Sequence, residues 1–151
     1  MKTVADVTRI YQDCAIAGAS PVEMVILLYE AAIEDMRRAL TAMKKSDIET
    51  RTAQVSHALM LLQQLQGTLD FQQGGDAAKQ FEQFYNMVRA KLLEAQMRGS
   101  SELMQQQIRM MSEVRDCWVQ AGRLLQPRQA AGSVAAGDAA IERGGESEWN
   151  A

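Results

Sequence analysis

The stretch SPVEMVILLYEAAIEDMRRALTAMKKSDIE, residues 20–49, decides the fold. Ser20 and Glu23 stand three apart, the spacing of a capping box, and Pro21 fills the first helical position, where no N–H is needed. Met24, Leu28, Ala32, Met36, Leu40 and Met43 then recur at helical spacing. From Val22 to Ile33 the segment is apolar nearly all round, which predicts contact on more than one side. Lys44 and Lys45 suit a helix C-terminus, and Ser46-Asp47-Ile48-Glu49 reads as a second capping box that opens another helix.

Downstream the pattern repeats. Ile48, Val55, Leu62 and Leu69 fall seven apart, with Leu59 and Leu65 alongside and Ala58 and Leu61 as a flanking row. Leu69-Asp70-Phe71-Gln72-Gln73-Gly74-Gly75-Asp76 interrupts the pattern, and its paired glycines allow positive φ and a reversal. Phe81, Tyr85, Val88, Leu92 and Ala95 share one face of a third helix, which Gly99 ends. Ser100 or Ser101 caps a fourth, carrying Met104, Met111, Trp118 and Leu125 at intervals of seven, supported by Ile108, Val114 and Ala121, and Pro127 closes it. Period-two clusters of β-branched residues are absent, so the chain reads as all-α. Four helices, each about 33–37 Å long and joined by short turns, predict an antiparallel up-down four-helix bundle.

The expected domain organisation is an N-terminal arm over 1–19, the bundle over 20–126, and a tail over 127–151. In the arm, Val4, Val7, Ile10 and Tyr11 suit a short amphipathic helix that forms only when docked. The tail is rich in Ala, Gly, Ser and acid, with no stripe to offset ordering entropy, and is expected to be disordered.

Composition narrows function. Hydrophobic residues make up 47% of the 151 and charged residues 23%, a globular balance. A net charge of -3 argues against nucleic acid, which needs a basic stripe. Cys14 and Cys117 are far apart and read as reduced apolar residues of a cytosolic protein. The charged start and the lack of a long apolar run predict neither a signal peptide nor stable membrane insertion.

Chemistry-bearing motifs are missing too. His57 has no Cys or carboxylate at metal-ligand spacing, and neither a nucleophile–base pair nor a phosphate loop is apparent, so no metal, cofactor or catalytic site is expected. His57 does raise an alternative, a histidine phosphotransfer module, since those are four-helix bundles with one exposed reactive histidine. Leu59 fits that pattern, but Met60 and Leu61 stand where its cation and small residue belong. Otherwise His57 reads as a partly exposed helix-face residue. Function is then expected in apolar surface. Ten methionines supply flexible, polarizable chains, and the first two helices carry more apolar surface than one seam needs. Such surface suits an amphipathic helix laid in a groove.

From about Ile10 to Gln120 the chain resembles the flagellin-specific export chaperone family, FliS. The matching pieces are Tyr11-Gln12, Ala19-Ser20-Pro21, Val25-Ile26-Leu27-Leu28-Tyr29-Glu30, Leu69-Asp70-Phe71-Gln72-Gln73-Gly74-Gly75-Asp76-Ala77-Ala78, Tyr85, Leu92-Leu93-Glu94-Ala95 and Asp116-Cys117-Trp118. The family often has Asp-Gly where Glu30-Ala31 stands, and Asn-Leu within Phe81-Glu82-Gln83-Phe84. The resemblance implies a cytoplasmic chaperone, not an enzyme, that binds the disordered C-terminal segment of flagellin. It blocks premature polymerization and delivers the client to the flagellar export gate. It also implies that Ile10 and Tyr11 cap an empty groove, for which Leu61, Leu65, Phe84, Met87 and Met110 are candidate lining residues. Apart from the resemblance, a structural or adaptor bundle whose apolar faces self-associate is a further alternative, and it predicts a client-free homodimer whose interface excludes the client.

Overall fold

The computed structural model describes residues 20–124. The expected arm with Ile10 and Tyr11, Cys14, Leu125, Pro127 and the tail all lie outside the described residues. The chain divides into two units, Met1–Trp118 and Val119–Ala151. The first contains α1 (Pro21–Lys44), α2 (Ile48–Gly67), α3 (Phe71–Arg98) and α4 (residues 101–118). The described part of the second, residues 119–124, is helical. No strand occurs among the described residues. The architecture is the expected antiparallel four-helix bundle.

Local chemistry sets most boundaries. Glu23 N–H donates to Ser20 Oγ at 3.2 Å and Ser20 N–H donates to Glu23 Oε2 at 2.8 Å, which completes the first capping box. The second helix starts one residue later than its sequence suggests. Asp47, not Ser46, is the cap: its Oδ1 accepts the Thr50 N–H at 3.1 Å. Ser46 instead takes a left-handed φ of 57°, which lets Asp47 N–H return to Ala42 O at 2.9 Å and close the end of α1. Ser100 caps α4, its Oγ accepting the Leu103 N–H at 3.2 Å, after Gly99 ends α3 at φ 63°.

Into the core α1 sends Leu28, Tyr29, Ala32, Ile33, Met36 and Ala39, and α2 sends Val55, Ala58, Leu61, Leu62 and Leu65. Tyr85, Val88, Leu92 and Ala95 enter from α3, and Met104 and Met111 from α4. The expected stripes are largely the buried ones, and the flanking Ala58–Leu61 row is core as well. Ile48 departs: as the first residue of α2 it sits at the bundle's end and is 63% exposed. Ala121 and Cys117 are exposed as well, and Cys117 is a free thiol.

His57 corrects its expected placement. It is 3% exposed, not a helix-face residue, and its Nδ1 bonds Oδ2 of Asp35, which is fully buried on α1. With Gln107 of α4, these form the buried polar set of the described core. A phosphotransfer histidine must reach a receiver from solvent, so this burial removes the basis for that alternative.

Candidate functional site

The α2–α3 turn explains its sequence residue by residue. Asp70 caps α3, its Oδ1 accepting the N–H groups of Gln72 at 3.0 Å and Gln73 at 3.1 Å. The reversal expected at the glycines is therefore a kink inside α3, whose first turn begins at Phe71. Gly75 adopts φ 51°, ψ -123°, a region that side chains exclude. Gly74 is small for a steric reason, since a Cβ there would stand 3.0 Å from the Ala78 Cβ. One glycine turns the chain and the other lets two helical turns close together.

The kink opens an apolar cavity of about 600 Å³. Pro21, Val22, Met24 and Val25 from the first turns of α1 form one wall, Thr68, Leu69 and Asp70 the turn side, and Gly74, Ala77, Ala78, Phe81 and Tyr85 the α3 side, with Trp118 from α4. Among these lining residues Asp70 is the sole charge, so the cavity suits apolar, uncharged matter. Its volume lies within the roughly 300–1,000 Å³ of ligand sites.

Aromatic rings brace it. Phe81 packs on Trp118 with centroids 5.4 Å apart and on Tyr85 at 6.1 Å, while Phe84 meets Tyr85 at 5.8 Å. Tyr29 Oη donates to Tyr85 Oη at 2.8 Å, which ties α1 to α3 beneath the cavity. Desolvation by burial pushes both phenols above their ordinary range. Hydrogen bonding to Tyr85 and to the Trp118 indole opposes part of that push at Tyr29.

The residues expected to form a groove are scattered relative to this cavity. Leu61 and Leu65 are fully buried in the core. Phe84 and Met110 are half-buried, and Met87 is 38% exposed. None of the five lines the cavity. The lining residues that site reasoning missed include Val22, Val25, Leu69, Phe81 and Trp118. Their signal was present as the all-round apolar start of α1 and the interruption at residues 69–76. Other apolar side chains also face outward, among them Leu93 at 48% and Met97 at 87%.

Among the described residues, no group of His, Cys, Asp and Glu is placed to hold a metal ion, and no helix is long and apolar enough to cross a membrane.

A family model described as flagellar protein FliS matches residues 4–124. The chain is 25% identical to the flagellar secretion chaperone FliS of Vibrio cholerae over 112 residues, covering 74% of this chain and 82% of that one. It is 23% identical to the flagellar secretion chaperone FliSB of Pseudomonas aeruginosa, covering 78% of this chain and 94% of the relative. The flagellar secretion chaperone FliS of Salmonella typhimurium is 23% identical, with 72% and 81% covered.

Proposed function

The chain belongs to the FliS family of flagellar proteins, and on that premise we propose that it is an export chaperone for flagellin. Its client is flagellin's disordered C-terminal segment, which it holds in the cytoplasm so that the subunit neither polymerizes early nor loses competence for flagellar type III export. The observation that carries this reading is the open apolar cavity at one end of a bundle whose core is filled by its own side chains. A recess that is apolar except for Asp70 accepts the side chains that flagellin hides only after assembly.

The energetics suit reversible holding. Each client residue that becomes ordered costs about 1–2 kcal/mol of backbone entropy. Apolar burial returns about 25 cal/mol per Å². The large terms nearly offset, so a wide surface is covered and the client still leaves at the export gate. The relatives' names describe secretion chaperones, and the chain acts by binding alone.

Phe84, Met87 and Met110 extend the client's track beyond the cavity, while the buried Leu61 and Leu65 act only as support beneath it. Ile10 and Tyr11 cover the apolar site until the client arrives. Without either cover, a second copy of the chain meets the same surface, which makes a homodimer the client-free alternative.

The test is a titration with flagellin from the same bacterium, full-length and lacking its C-terminal segment. A one-to-one complex with the first and none with the second is expected. An isotherm indifferent to the deletion refutes the reading.

A further inference from the structure

Asp70 is the one charge in a cavity wall that is otherwise uncharged and mostly apolar. Its capping duty uses a single oxygen, Oδ1, which accepts both the Gln72 and the Gln73 N–H. Among the described residues, no hydrogen bond or ion pair reaches its Oδ2. The residue is exposed, so it stands at the lip of the cavity and not in its depth.

Capping alone does not require a charge, since Ser and Asn serve as well at that position. The charge matters once something covers the cavity. An exposed carboxylate is hydrated, and a segment seated over the lip strips that water away. Taking an ionised carboxylate out of water is costly unless a partner replaces the lost hydrogen bonds, and a cation does so most fully. The N-terminal dipole of α3 favours the anion whether or not the cavity is filled, so it does not replace that water.

We infer that Asp70 is a specificity residue of the cavity: it selects a client segment that sets a Lys or Arg against Oδ2, beside the apolar side chain that enters the recess. This rests on the reading that a flagellin segment is the client. It adds the charge that segment carries at its point of entry. The apolar body fills the recess, and the cation stays at the lip in contact with solvent. A segment with Asp or Glu at that position is rejected by like charge.

The test is a double-mutant cycle, read by calorimetric titration of the full chain with a peptide of the C-terminal segment of flagellin from the same bacterium. On the chain side, Asp70→Asn keeps a capping side chain and removes the charge. On the peptide side, each Lys and Arg is replaced in turn by Gln. Asp70→Asn is expected to weaken the peptide about two- to fivefold, the range of an exposed ion pair. The loss should vanish in about 1 M salt, where charges are screened within about 3 Å. One cation of the peptide should account for it: once that residue is Gln, Asp70→Asn has no further effect. Asp76, an exposed acid just past the kink and outside the lining, supplies the control, and Asp76→Asn should leave the affinity unchanged. Binding indifferent to Asp70→Asn, a loss shared with no single cation, or an equal loss at Asp76→Asn overturns the inference while the client reading stands. A peptide that does not bind the unsubstituted chain overturns both. If Asp70→Asn does not fold, Asp70→Ser, another uncharged cap, takes its place in the cycle.

Discussion

The Asp35–His57 pair gives the sharpest test of the core. Asp35 is 0% exposed and His57 3%, they sit 22 residues apart on α1 and α2, and His57 Nε2 has no partner. Replacing His57 with Leu, close in volume, removes a partner of a buried carboxylate, a loss of about 3–5 kcal/mol. The same change removes the unbonded Nε2, which recovers about 1–3 kcal/mol. The expected net destabilisation is about 2 kcal/mol. Asp35→Val leaves the imidazole without its carboxylate, a loss of about 1–3 kcal/mol. The double variant removes every stranded polar atom of the pair. It is expected within about 1 kcal/mol of the original chain or above it, as apolar replacements of buried pairs often are. Chemical denaturation of the four proteins yields the coupling energy, expected at about 2 kcal/mol or more. In thermal melts each kcal/mol moves Tm by about 4 °C. Two losses that simply add in the double variant, or a His57→Leu melt above that of the parent, refute the claim that the two groups support each other in the core.

Other expectations follow from single positions. Ser46→Gly relieves the left-handed residue at the end of α1 and should stabilise the chain by about 0.5–1 kcal/mol, read as a higher denaturation midpoint. Gly75→Ala forces a Cβ into φ 51°, ψ -123° and should cost about 1–3 kcal/mol, with reduced client affinity because the kink frames the cavity. Tyr29 and Tyr85 titrate higher in the fold than in the unfolded chain. The stability they contribute is therefore complete below about pH 10, the unfolded phenol value, and falls as pH rises above it, whereas Tyr29→Phe should flatten that loss in alkaline melts. Removing residues 1–12 should raise hydrophobic-dye fluorescence of the free protein, and an unchanged signal counts against Ile10 and Tyr11 as a cover.

Sequence and structure divide along the range of the forces involved. Caps, helix periodicity and glycine breaks act over three or four residues, so Ser20–Glu23, a serine cap at Ser100 or Ser101, Gly99 and the interruption at Gly74-Gly75 were legible before any fold was known, and the Leu103 N–H then selected Ser100. So was the family resemblance, because the motif around Leu69–Ala78 encodes one local turn. Where two local solutions compete the sequence was ambiguous: Ser46 and Asp47 can both cap, and only the need to close α1 assigns Ser46 to the left-handed position.

The candidate site was legible as an excess, not as a place. Val22 to Ile33 announced more apolar surface than one seam requires, yet nothing local says which part stays open. That depends on how far each helix is rotated about its own axis, which all four settle together by packing. The same rotation buries His57 against Asp35, sinks Leu61 and Leu65 into the core, and leaves Val25, Phe81 and Trp118 around a cavity. The sequence alone determined that there would be four amphipathic helices, and roughly where each begins and ends, because backbone capping and side-chain periodicity are short-range. Only the tertiary structure decided which faces meet and where a gap remains, because contacts between residues far apart in the chain form only when the whole bundle closes.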